Sequence, residues 1–150
     1  MREILFRAKR IDNGEWVEGW YEPPVEVTHC DGRKERLGAS LAFIGEDGFL
    51  EDAYIIPETV GQFTGLTDKN GKKIFENDIV VICYEADGEH FSETKRVHYN
   101  EKECCWYPMR WDECCEYCDH YTEVKSIEVI GNIHDNPELL KGERENERTD

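Results

Sequence analysis

The chain has 150 residues, of which 39 % are apolar and 35 % charged, and its 34 acidic against 18 basic residues give a net charge of −16. That length suits one ordinary domain or two small ones, and no run approaches the roughly 20 consecutive apolar residues of a membrane-spanning helix. The acid excess is spread along the chain with no block of Lys and Arg, which excludes direct DNA or RNA binding through clustered cations; it serves solubility, or as a sharper alternative an acidic surface that meets a basic partner or imitates nucleic acid.

The opening MREILFRAKR places only Ile4, Leu5 and Phe6 in an apolar row and has no signal-peptide core, which predicts an intracellular, soluble protein. Ile4, Phe6 and Ala8 alternate with charged neighbours, and Asp12-Asn13-Gly14 is a turn signal followed by the aromatic run Trp16 to Tyr21. Together these predict a β-hairpin over residues 3–21, with Trp16 and Trp20 on one face because side chains of a strand repeat with period two. Pro23-Pro24 breaks the pattern, Val25 and Val27 alternate with polar residues, and residues 29–34 form a polar turn. Two apolar runs follow, Leu41 to Ile44 closed by Gly45-Glu46-Asp47-Gly48, and Ala53 to Ile56 closed by Pro57. None of these windows carries the 3.6-residue period of a long helix.

The stretch FTGLTDKNGKKIFENDIV, residues 63–80, holds two polar turns in an apolar frame. Asp68 and Gly71 suit the first and fourth places of a type I turn, with Asn70 and Gly71 able to turn left-handed; Asn77 is a left-handed position in the second turn. Ile79 to Tyr84 is almost wholly apolar and β-branched, as in a strand buried on both faces. A turn at residues 86–89 leads to a strand over 91–99, then an irregular segment over 100–119 rich in Cys, Trp and acid, then a strand pattern from Tyr121 to Ile133. Asp135 to Leu140 reads as a short helix, with Asp135 or Asn136 as cap and Pro137 at the first helical position. Residues 141–150 are uniformly polar and are expected to be disordered.

Seven cysteines stand at 30, 83, 104, 105, 114, 115 and 118. Their odd number, without an export signal, points to free thiols in a reducing cytosol. Cys115 and Cys118 form a CxxC knuckle whose thiolates could reach one zinc, with His120 and Cys104 or Cys105 completing the ligands. The first half of the set is Cys-Cys, whose side chains diverge on an extended strand, so free loop thiols compete with zinc, and a redox role for Cys115 and Cys118 is a third alternative.

Three blocks together resemble the YopX-like proteins of bacteriophages and prophages: REILFRAKR with the hairpin and Gly19-Trp20, then IIPETVGQFTGLTDKNGKKIFENDIV at residues 55–80, and IEVIGNIHDNPELL at residues 127–140. The resemblance covers roughly half the chain. It implies a phage or prophage origin, residence in the cytoplasm of the bacterial host and a mostly β architecture of small subdomains. It implies no assigned activity and no recognised catalytic residue, so none is carried over. Where the family has Gly before the Asp of the second turn this chain has Asn77, the next-best left-handed residue. The segment Cys104–Cys118 lies outside the family pattern.

Other pairings have plainer explanations than catalysis. His134-Asp135 precedes a helix cap, Glu76, Asp78 and Glu85 surround a solvated turn, and His98 with Tyr99 ends a strand. Trp16 and Trp20 could stack nucleobases, but in so acidic a chain core or subunit contact is preferred. There is no phosphate loop, nucleophile elbow or metalloprotease pair. The expected fold is therefore mainly β, with an N-terminal β subdomain at 1–60 and a second at 61–140 that carries the Cys-rich loop 100–120 and a short C-terminal helix. The second admits an SH3-like barrel. Exposed strand edges and four tryptophans favour a homo-oligomer. The expected task is non-enzymatic, through an unidentified protein partner or self-assembly, with no cofactor; the alternative is a zinc- or thiol-dependent protein built on Cys104, Cys105, Cys115, Cys118 and His120.

Overall fold

The computed structural model describes residues 3–86, 88–108 and 122–141, and these are mainly β. Cys115, Cys118 and His120 of the expected zinc set lie outside the described residues, as do residues 142–150 of the expected tail. Among the described residues no helix is long and apolar enough to cross a membrane. The chain divides into two compact units, Met1–Phe63 and Thr64–Asp150.

In the first unit, β1 (Phe6–Lys9) and β2 (Trp16–Glu22) form the expected antiparallel hairpin. Its turn bends at Gly14, φ +70°, where Gly is favoured because it has no Cβ. The Asn13 side-chain oxygen accepts the Glu15 N–H at 2.9 Å and stiffens the turn. A smaller hairpin, β3 (Val25–Thr28) with β4 (Lys34–Leu37), follows, and β5 (Ser40–Ile44) pairs with both β2 and β6 (Leu50–Tyr54). The start of β7 (Gly61–Thr67) pairs with β1, giving the antiparallel order β6-β5-β2-β1-β7. Arg10 and Ile55 form one bridge, flanked by Ile11 N–H to the Tyr54 carbonyl at 3.0 Å and Ile56 N–H to the Lys9 carbonyl at 2.9 Å. The ends of β1 and β6 are thereby drawn together and the sheet curls over its core.

Register fixes which side chains enter that core. Ala8 pairs with Val17, Phe6 with Gly19 and Tyr21 with Leu41, so all six share one face. Ala8, Leu41, Ala39 and Ile55 are buried there, with Phe6, Val17, Tyr21 and Val60 packed against them. Gly19 is obligatory: a Cβ at this position would overlap the Ala42 carbonyl oxygen.

In the second unit, the end of β7 lies beside β8 (Lys73–Phe75), and β9 (Asp78–Ala86) is the centre of the order β10-β9-β13. Its neighbours are β10 (Glu89–Arg96) and β13 (Thr122–Asn132), both antiparallel. Ile79, Val80 and Ile82 are buried, so both faces of β9 are covered over its first half, as its apolar run predicts. Ile74, Val80, Ile82, Val97 and Val129 form the core, joined by Tyr84, Trp106, Val124 and Ile127.

Several expectations are corrected. The strand expected over 91–99 is broken at buried Val97, whose N–H goes to the Asp78 carbonyl and whose carbonyl accepts the Asn77 N–H, both at 2.8 Å. The chain then turns into β11 (His98–Asn100), which pairs with β12 (Cys105–Tyr107) inside the segment expected to be irregular. The described strands of this unit form an open three-stranded sheet, a two-stranded ribbon and the pairing of β8 with the end of β7, with no closed SH3-like barrel. The C-terminal helix is a short 3₁₀ segment, Pro137–Leu140, and its Asn136 makes no side-chain cap; the Asn136 side-chain oxygen instead accepts the Asn132 N–H at 3.4 Å.

Candidate functional site

The segment that dominates the sequence, residues 63–80, is scaffold throughout. Asp68 is only 7 % exposed, and its carboxylate accepts the N–H groups of Asn70 and Lys72 at 2.9 Å through one oxygen and of Val129 at 3.0 Å through the other. Burial alone would raise its pKa, but those three backbone donors and the nearby Lys72 charge together hold it below the ordinary value of 3.8. The Lys69 N–H reaches the Ile127 carbonyl at 2.9 Å, so the turn binds the backbone of β13. Gly71 takes the left-handed conformation at φ +81°. In the second turn Asn77 is left-handed at φ +69°, as its place in the sequence predicts. Asp78, expected in a solvated turn, is 1 % exposed and accepts the Phe75 N–H at 2.8 Å. Glu85 stands apart on β9, with Lys125 Nζ 3.5 Å and His90 Nδ1 4.0 Å away. Glu76, Asp78 and Glu85 therefore serve turn and strand.

Of the thiol set, Cys104 and Cys105 lie at the β11–β12 turn. Cys104 is exposed and left-handed at φ +55°, where its Sγ donates to the Glu101 carbonyl at 3.5 Å. Cys105 opens β12 and its Sγ donates to Glu103 at 3.8 Å. Cys104 is therefore a left-handed turn residue and only Cys105 belongs to a strand, so the extended Cys-Cys pair expected from the sequence is not formed. The Asn100 side-chain oxygen organises this turn by accepting the Lys102 and Glu103 N–H groups at 3.1 and 3.2 Å. Among the described residues no three metal-ligating side chains converge.

His134 and Asp135 follow β13 in a turn built by Asn132, whose side-chain oxygen accepts both their N–H groups, at 3.0 and 2.9 Å. His98 packs its ring 5.2 Å from that of Tyr107, and Tyr99 meets Trp106 edge-on at the same distance.

A different feature emerges from register in the first unit. The face of the sheet opposite the core carries Trp16 and Trp20, as period two requires, and cross-strand pairing adds others. Trp20 pairs with Ala42, Ala42 with Asp52, Ile44 with Leu50 and Ser40 with Tyr54. Trp20 is 52 %, Ile44 57 %, Leu50 65 % and Tyr54 55 % exposed on this one face, so of the two readings given for Trp20, core or subunit contact, the core reading does not apply. Trp16 is sheltered by its basic neighbours: the Arg7 guanidinium lies 4.7 Å and Lys9 Nζ 5.5 Å from its ring centroid. Sequence alternation signals the two tryptophans; the aliphatic members were missed because Leu41 to Ile44 looks uniformly apolar until pairing sorts its residues onto two faces.

This outer face can bury apolar surface against another molecule and can offer carboxylates at Glu22 and Asp52. A sequence-family profile described as YopX protein matches residues 5–141. Among solved structures the chain is similar to protein EF1440 from Enterococcus faecalis, with 25 % identity over 94 % of this chain and 100 % of that one, at a TM-score of 0.45. No curated protein matches.

Proposed function

The chain belongs to the YopX protein family, and from that premise we propose that it is a non-enzymatic accessory protein of a bacteriophage or prophage, working in the bacterial host cytoplasm by contact with a protein partner or with copies of itself. The observation that carries the proposal is the outer face of the first unit, where Trp20, Ile44, Leu50 and Tyr54 are all exposed on one sheet face, around Ala42 and Asp52. Large aromatic and aliphatic groups gathered on one sheet face favour association, because burying them removes apolar area from water. Trp20 is suited to be an anchor, since a central tryptophan commonly carries a large share of the binding energy.

The test substitutes Trp20→Glu and Leu50→Glu, both at exposed positions, and measures self-association by sedimentation and partner recovery at low salt. Each change is expected to weaken association by about 30-fold, the equivalent of roughly 2 kcal/mol. Association of both variants at wild-type strength, or a wild-type chain that is monomeric and recovers nothing, removes the proposal. A zinc- or thiol-dependent protein is the second proposal, and it rests on the free thiols of Cys104, exposed, and Cys105, half-buried, where the chain turns into β12. Metal analysis of protein purified without a tag decides it: near-stoichiometric zinc lost on Cys115→Ser with Cys118→Ser supports it, and clearly substoichiometric zinc together with an unchanged redox response ends it.

A further inference from the structure

A groove of about 500 Å³ opens on the outer face, lined among others by Glu22, Ser40, Asp52 and Tyr54 with Val25 and Leu37 of the β3–β4 hairpin. Register explains why four of these converge. Glu22 pairs with Ser40 and Ser40 with Tyr54, forming one cross-strand row, and Asp52 sits two residues before Tyr54 on the same face of β6. Ser40 is 9 % exposed, and its hydroxyl donates to a Glu22 carboxylate oxygen at 3.0 Å, which fixes that carboxylate in the groove. Among the described residues neither Glu22 nor Asp52 is paired with a cation, whereas Asp12, Asp31 and Glu26 of the same unit each hold an Arg or Lys. Two carboxylates with no cation beside them, set next to an aromatic ring and two aliphatic side chains, suit an occupant that is cationic, planar and tolerant of apolar walls.

We propose that this groove receives an arginine side chain presented by a partner protein of basic character. The proposal rests on the protein-contact function above and deepens it. In this arrangement the guanidinium donates to Glu22 and Asp52, lies against the Tyr54 ring and runs its methylene stem along Val25 and Leu37. A guanidinium meets these demands better than an ammonium, because its planar fork matches carboxylates, it stacks on aromatic faces and it is more weakly hydrated. The same sheet face already accommodates a guanidinium on an aromatic ring, Arg7 over Trp16 at 4.7 Å. The partner is a different protein rather than a second copy, since two chains of net charge −16 repel.

The experiment titrates the isotope-labelled full chain with N-acetyl-arginine methylamide and with its citrulline and lysine counterparts, followed by amide shifts. Arginine is expected to move the amides of Gly38, Ser40, Asp52 and Tyr54, with citrulline at least tenfold weaker and lysine intermediate. The double variant Glu22→Gln with Asp52→Asn alters two exposed side chains without changing their shape, and should lose the response while its spectrum otherwise stays native. No response to arginine, an equal response to citrulline or lysine, or an undiminished response in the double variant overturns the proposal. Partner association separates this idea from its premise. If Trp20→Glu abolishes association and the double variant leaves it at full strength, the contact function stands and the arginine groove falls. If the groove binds arginine and no association of any kind exists, the groove stands and the contact function falls. A double variant whose main defect is lost self-association overturns the choice of partner.

Discussion

Asp68 shows how one residue can be polar in sequence and structural in fact. Three backbone N–H groups end on its carboxylate, one of them from Val129, 61 residues further along. Asp68→Asn turns a donor toward at least one of those N–H groups and should destabilise the second unit by about 2–3 kcal/mol, with Asp68→Ala costing at least as much, as measured by urea unfolding. The sign of the pH effect follows from its depressed pKa. The folded carboxylate holds its proton less tightly than the unfolded one, so its contribution is fully present above about pH 5 and fades as the pH falls below about 4 through the folded value. The urea midpoint of the wild type should therefore drop between pH 5 and pH 3 by more than that of Asp68→Asn; parallel declines would contradict this role. Asn77, at φ +69°, makes a complementary case. Asn77→Gly should be neutral or slightly stabilising, while Asn77→Val, β-branched in a left-handed position, should cost about 1–3 kcal/mol in the same measurement.

At the level of elements, local signals were legible and long-range choices were not. The β1–β2 hairpin, the two turns of residues 67–78 and the buried central β9 could be read from turn residues and period alone, because those signals act within a few residues. The split of the strand at Val97 could not, since it depends on Val97 bonding the backbone of Asn77 and Asp78 across the unit. Nor could the open sheet be distinguished from a barrel, because closure depends on which edges pair. The outer face was half legible: Trp16 and Trp20 follow from spacing, but Ile44, Leu50 and Tyr54 join them only through the β5–β6 register. Glu22 and Asp52 look like ordinary surface acids until that register sets them beside Ser40 and Tyr54. Register makes a prediction of its own at Gly19, where any Cβ would overlap the Ala42 carbonyl oxygen. Gly19→Ala should part β2 from β5 and cost about 3 kcal/mol or more, with loss of amide protection along Ser40 to Ala42 in hydrogen exchange. Unchanged protection there would mean that the pairing is not held as closely as this geometry requires.

For the molecule as a whole, the charge of −16 decides between kinds of partner by the sign of a salt effect. Screening shortens the reach of charge from about 30 Å at 0.01 M to about 8 Å at 0.15 M. Two copies of this chain repel at low salt, so self-association through Trp20 and Leu50 should strengthen as salt is added, because apolar burial persists while repulsion is screened. A basic partner is drawn in by the same field, so its association should be fastest at low salt and slow as salt rises, by about tenfold or more in on-rate for strong steering. Its off-rate should change little until contacts such as an arginine between Glu22 and Asp52 are themselves removed, because steering acts on encounter and close pairs act on residence. Stopped-flow or surface-binding kinetics across that salt range therefore separate the two cases without knowledge of the partner's identity. Binding that falls with salt mainly through on-rate, and that loses residence time in the Glu22→Gln, Asp52→Asn variant, fits the basic-partner proposal; binding that rises with salt assigns the outer face to copies of this chain.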